Sequence, residues 1–185
     1  MLRSSPGLRP SPAALRRHGL LVGLVLGLLA GLAAAVPAPV LADNGQVTGL
    51  PIPRFVSLRP SEVNLRTGPG LRYPIEWVYK RAGMPVEVIG EFETWRQIRD
   101  WEGTTGWVHE VMLQGRRTAR ITGGDARLLR REPSAGAPPV AMLQPGVIAA
   151  LEACRDGWCR LAVDGHAGWL PRGHFFGAYP GETIE

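Results

Sequence analysis

No aspartate or glutamate occurs before Asp43, whereas Arg3, Arg9, Arg16 and Arg17 all do. Of 21 basic residues four lie there, leaving 17 against 16 acidic ones, so most of the net charge of +5 belongs to that segment. Apart from Arg116-Arg117 and Arg130-Arg131 the later chain has no block of like charge. That excludes the basic stripe a nucleic-acid surface requires. Cysteine occurs only twice, and no helical stretch longer than a turn is evident after residue 43, where Gly and Pro are frequent. At 185 residues the chain is too short for a large multidomain enzyme, while 45% apolar content suffices for a packed core and excludes wholesale disorder.

The acid-free segment has the parts of a secretory signal peptide. Arg16-Arg17-His18 precedes an uncharged run from Gly19 to Ala35, and Val40-Leu41-Ala42 forms a small-residue site before Asp43. The expectation is cleavage after Ala42 and export to the periplasm or the exterior. If uncleaved, residues 19–42 would instead anchor the chain in the inner membrane. No cysteine follows the run, which argues against a lipid anchor, and Gly19 after the twin arginines makes the match to the folded-protein export route partial.

Cys154 and Cys159 flank Arg155-Asp156-Gly157-Trp158. Asp-Gly between apolar runs predicts a tight hairpin, which sets the flanking cysteines opposite each other. In an oxidising compartment the expectation is a disulfide. A catalytic thiol paired with His109, His166 or His174 is the sharper alternative, but neither cysteine sits in a nucleophile-like context. The C-x4-C spacing fits no compact metal-ligand pattern, so neither metal nor cofactor is implied.

After Asp43 one pattern occurs twice. Leu65-Arg66-x-x-Pro69, Pro74, Gly83, Trp95 and Gly106-Trp107 correspond to Leu129-Arg130-x-x-Pro133, Pro138, Gly146, Trp158 and Gly168-Trp169. The offset drifts from 64 to 63 to 62 along the copies, as one-residue slips in loops would produce. Each copy reads as short strands: Val86, Val88 and Phe92 alternate, as do Val147, Ala149 and Leu151, and Trp95, Gln97, Arg99 and Trp101 share one face opposite Arg96, Ile98 and Asp100. The fold class expected is all-β, with two small barrels in tandem after the signal peptide.

Val63-Asn64-Leu65-Arg66-Thr67-Gly68-Pro69-Gly70, followed by Gly106-Trp107-Val108, resembles the bacterial SH3 domain family. The second copy keeps Leu129, Arg130, Pro133 and Gly168-Trp169 but has Glu132 and Ser134 where the first has Gly68 and Gly70. The resemblance implies a linker over 43–56, SH3-like barrels over 57–114 and 117–177, and a tail over 178–185. It also implies a non-catalytic binding protein whose partner is a cell-wall peptide or glycan, or an envelope protein. The adaptor role is the second reading and a small wall hydrolase the third. The Gly68-Pro69-Gly70 loop would wall a groove with Tyr73, Trp77 and Tyr79. Trp77 is singled out because the second copy has no aromatic residue there. Arg66 and Arg130 are expected to meet a carboxylate, in the fold or, for Arg66, on a ligand. Trp95, Trp107, Trp158 and Trp169 recur in both copies and are expected in the core. Glu91, Glu93, Asp100 and Glu102 supply carboxylates near aromatics but no catalytic constellation.

Overall fold

The alternating segments form sixteen short strands in the computed structural model, which describes residues 43–185. The expected signal segment lies outside the described residues. Strands β1 (Asp43–Asn44) and β2 (Pro51–Ile52) make a small hairpin. The first barrel contains β3 (Arg54–Leu58), β4 (Val63–Arg66), β5 (Ile75–Tyr79), β6 (Pro85–Phe92), β7 (Trp95–Arg99), β8 (Thr105–His109) and β9 (Leu113–Gln114). The second contains β10 (Thr118–Ile121), β11 (Arg127–Arg130), β12 (Pro139–Leu143), β13 (Ile148–Arg155), β14 (Trp158–Val163), β15 (His166–Pro171) and β16 (Phe175–Phe176). One 3-10 turn, Glu110–Met112 or Arg172–His174, precedes the last strand of each. Among the described residues no helix is long and apolar enough to cross a membrane.

The two sheets are built alike. Their orders are β5-β4-β8-β7-β6-β3-β9 and β12-β11-β15-β14-β13-β10-β16, the same sequence of neighbours element by element. The repeat landmarks occupy equivalent ladder positions: Arg66 pairs with Trp107 and Arg130 with Trp169. Each sheet wraps its own core, formed around Leu58, Val63, Leu65, Val86, Val88, Ile98 and Val108 in the first and Ile121, Leu129, Leu151, Leu161 and Leu170 in the second.

A β-bulge shifts the inward phase at the middle of each long strand. In β6 it falls between Val88 and Gly90, so Phe92 leaves the alternation of Val86 and Val88 and is 48% exposed. The equivalent bulge between Leu151 and Ala153 turns Cys154 inward, where it pairs in register with Cys159. Asp156 and Gly157 carry the positive φ values of the hairpin turn, and the two cysteines form a disulfide with Cα atoms 4.1 Å apart. The bridged residues are five apart, so the loop removes little entropy from the unfolded chain. Replacing both cysteines with alanine is expected to lower stability by about 2 kcal/mol. Denaturant midpoints of the two proteins under oxidising conditions measure this, and coincident midpoints would refute it.

The four tryptophans divide: Trp95 and Trp169 are buried as expected, while Trp107 and Trp158 are only half-buried. In β7 the core face is that of Ile98, so Trp95 lies on the outer face, buried but outside the core cluster. Trp107 and Trp158 are half-buried beside the inward residues Val108 and Cys159. Trp169 is covered by Arg155, whose guanidinium carbon stands 4.8 Å over the ring. Period-two alternation places all four opposite their small or aliphatic neighbours, and those neighbours take the interior.

The segments expected to be linker and tail are also packed. β3 begins at Arg54 and the preceding hairpin is held by Glu91, which accepts from Val47 N (3.1 Å), Thr48 N (3.0 Å), Thr48 Oγ1 (2.6 Å) and Arg54 (2.9 Å). At the other end Ile184 exchanges backbone hydrogen bonds with Cys154, and Glu182 pairs with Arg117 at 2.7 Å. Tyr179 donates to Glu87 in the first barrel (2.8 Å) and packs, with Phe176, against Phe55. Thr118 Oγ1 donates to Gly83 O (2.7 Å), Ser57 Oγ to Arg116 O (2.8 Å), and Arg120 stacks on Trp101 at 4.0 Å. The barrels thus share an interface.

Candidate binding cleft

The Leu-Arg motif builds a loop rather than a charge pair. Arg66 donates to the carbonyls of Tyr73 (2.8 Å) and Leu71 (3.3 Å), and Arg130 donates to Ala137 O (2.7 Å) at the same relative position. Both arginines therefore brace the long excursion after their strand by donating hydrogen bonds to its carbonyl groups, and neither meets a carboxylate among the described residues. The Gly-Trp motif supplies the complementary surface. A Cβ at Gly106 would lie 2.5 Å from Leu65 Cγ and 2.9 Å from Arg66 O, and one at Gly168 would lie 2.6 Å from Arg130 O. Glycine lets the two strands close there.

This closure opens a cleft on the outer face of each barrel. In the first, about 140 Å³ is bounded by Glu62, Asn64, Arg66, Leu71, Trp95, His109 and Met112. In the second, about 300 Å³ is bounded at the equivalent positions by Ala126, Leu128, Arg130, Ala135, Trp158, Pro171 and His174, together with Arg127. The offsets drift as they do in the sequence repeat. The arginine and the first tryptophan are common to both clefts, and every other wall residue differs. Trp95 meets His109 edge-on at 5.4 Å, while His109 Nδ1 accepts from Val111 N at 3.4 Å. Among the described residues the other imidazole nitrogen of His109 has no hydrogen-bond partner, in a cleft that also offers a carboxylate and an amide.

The residues expected around the Gly68-Pro69-Gly70 loop divide. Gly68 is buried beneath Tyr73, whose ring carbons would lie 2.5 Å from an added Cβ, so this part of the motif is loop packing. Pro69 and Gly70 belong to the same turn. Tyr79 is corrected from groove wall to core: it is 2% exposed and donates to Asp100 Oδ2 at 3.0 Å. Burial, with the Asp100 charge second, pushes its phenol well above the usual pKa. Trp77 is 58% exposed on β5, an edge strand with Ile75 also exposed. It pairs across the ladder with Leu65, on the face opposite Asn64, so it does not join the cleft. In the second barrel Ala141 takes its place opposite Leu129. Only Arg66 of the expected ligand residues lines the cleft. Trp95 and His109 were visible in the sequence, but only the strand phase reveals that they face outward together.

The other chemical candidates are occupied in the fold. Asp100 accepts from the backbone of Glu102 and Thr104 (both 2.9 Å) and so ties the β7–β8 turn. Glu91 holds the N-terminal hairpin, and the cysteines are joined, leaving no thiol. Among the described residues no cluster of three or more His, Cys, Asp or Glu could hold a metal.

The family model described as Bacterial SH3 domain matches residues 59–115 and 124–175. No curated relative matches the chain. Among solved structures it is similar to NlpC2 from Trichomonas vaginalis, with 13% identity and a TM-score of 0.32 over 69% of this chain and 48% of that one. It is likewise similar to NlpC1 from the same organism, with 14% identity and a TM-score of 0.31 over 75% and 50%. The chain spans about half the length of each.

Proposed function

This chain belongs to the bacterial SH3 domain family, and on that premise we propose that it is an exported, non-catalytic binding protein whose first barrel holds a cell-envelope ligand, a peptide or glycan segment of the wall. The observation that carries this reading is the recurrence of one cleft at repeat-related positions in both barrels. Trp95, largely buried, contributes its apolar edge to the cleft wall, while Glu62, Asn64 and His109 supply the few polar groups that orient a ligand. Glu62 also pairs with Lys80 at 2.6 Å, but both side chains are largely exposed, so that pair costs little to open.

Co-sedimentation with purified cell wall tests the reading. The His109→Ala/Asn64→Ala double variant is expected to lower wall binding at least tenfold, a loss of about 1.4 kcal/mol. Trp77→Ala should leave it unchanged. Equal binding by the double variant and the parent would remove the first cleft from the function.

The exposed pair Ile75 and Trp77 on an edge strand favours a second reading, in which an envelope protein docks on β5. In that case crosslinking in the exported compartment yields one protein partner. Trp77→Ala then abolishes its capture, and wall polymer is not retained.

A further inference from the structure

We propose that the cleft of the second barrel is a separate site for a carboxylate carried at the end of a short apolar peptide. This goes beyond the reading of the first barrel and does not depend on it. The two clefts differ in charge where it counts: Ala126 replaces Glu62, so no acidic residue lines the second cleft, while Arg127 adds a second guanidinium beside Arg130. Arg127 forms no ion pair among the described residues.

Two polar atoms of residues that line this cleft lack partners among the described residues. Arg127 Nε and His174 Nδ1 are both removed from solvent without a hydrogen bond. Arg127 and Arg130 bring two guanidinium groups to one cleft, and the planar guanidinium suits the two oxygens of a carboxylate. Burial and the nearby Arg127 charge hold His174 below its usual pKa, so the neutral ring can place its proton on Nδ1. The arginine is held by its loop: Gly123 has φ +91°, and a Cβ there would lie 2.4 Å from Arg127 Nη2.

The opposite wall is apolar. Leu128 replaces Asn64 and Pro171 replaces His109, with Trp158 opposite Pro171 on the next strand, so the group carrying the carboxylate would rest on hydrocarbon. At about 300 Å³ the cleft is at the small end of ligand sites, which fits a terminal residue or two rather than a long chain.

The test uses the full chain and follows the Arg127 Nε–H and Trp158 indole signals by NMR. The titrants are N-acetyl-alanyl-alanine, its C-terminal amide, and inorganic phosphate. The acid should shift both signals saturably, and the amide and phosphate should bind at least tenfold more weakly. Arg127→Gln should weaken the acid at least tenfold. Because that arginine also packs on its loop, Leu128→Glu provides a second variant: it changes an exposed wall residue and should abolish acid binding by repulsion while leaving thermal unfolding unchanged. Equal binding of the amide, equal binding of phosphate, unaltered binding by Leu128→Glu, or no shift with the acid at millimolar concentration would each overturn the proposal.

Discussion

A Gly177→Ala variant is expected to lose about 3 kcal/mol of stability, the upper part of the ordinary range for a single substitution. Gly177 follows β16 with φ +137°, a conformation that disfavours a side chain, and it lies directly on the backbone of β10. A Cβ there would stand 2.2 Å from Thr118 O and 3.2 Å from Ala119 Cα, with no flexible side chain able to yield. Relief requires β16 to peel from β10, which opens the ladder at Arg120–Phe176 and Ile121–Phe175. The strain also spreads outward. The residues after Gly177 carry Tyr179, which grips the first barrel at Glu87 and Phe55, and Glu182, which pairs with Arg117. Equilibrium denaturation should therefore show a lowered midpoint, and limited proteolysis should cut after residue 177 before the rest of the chain. A variant as stable as the parent would show that the C-terminal segment does not pack as described.

Removing the Glu91 carboxylate is expected to cost about as much, roughly 3 kcal/mol for Glu91→Ala, because a buried charge network loses its centre. Its side chain is 1% exposed and faces Arg54 at 2.9 Å and Arg96 at 3.7 Å. Burial alone would raise its pKa, but hydrogen bonds from Thr48, Arg54 and Val47 outweigh that and bring it down to about 2. The depressed value fixes the sign of the pH dependence. In the unfolded chain the group titrates near its ordinary value of 4.5, so the unfolded state takes up a proton first as pH falls. The stabilisation is complete above pH 4.5 and is lost progressively as pH falls toward about 2. Glu182 is lowered too, despite its burial, by Arg117 and the Tyr179 backbone, and adds to acid lability. The comparison that isolates Glu91 is therefore parent against Glu91→Gln. The stability gap between them should be constant above about pH 5 and shrink below it. Hydrogen exchange in residues 45–50 should quicken in Glu91→Gln at neutral pH. A gap that does not change with pH would remove the carboxylate from the hairpin's attachment.

Much of the architecture follows from short-range chemistry. Asp156-Gly157 and Asp164-Gly165 adopt positive φ at hairpin turns, as Asp-Gly steps do in any context that lets strands meet. The Leu-Arg and Gly-Trp landmarks recur because each copy solves the same local problem, a braced loop over a strand pair that needs a glycine at its contact. Two such copies imply two sheets of one topology, and the structure has them.

The tryptophans illustrate where that reasoning ends. Trp95 alternates with Ile98 and Asp100 on opposite faces, and both faces carry apolar residues, so periodicity separates the faces without saying which is inside. The bulges in β6 and β13 then shift the phase by one residue partway along each strand. Tyr79 and Trp77, two apart on β5 and paired with the inward residues Val63 and Leu65, nonetheless end with opposite fates, one in the core and one in solvent at the sheet edge.

The sequence alone determined the acid-free first 42 residues, the duplication, the all-β class and the partnering of Cys154 with Cys159, because each rests on composition, on a repeated order of landmarks or on neighbours within one turn. Tertiary structure alone decided that Trp107 and Trp158 stay half-buried, that residues 43–56 and 178–185 are clamped to the barrels, and that a cleft joins residues as distant as Glu62 and Met112. The physical reason is that a cleft depends on how strands curl, bulge and close against one another. Those long-range choices are settled by packing the whole core at once.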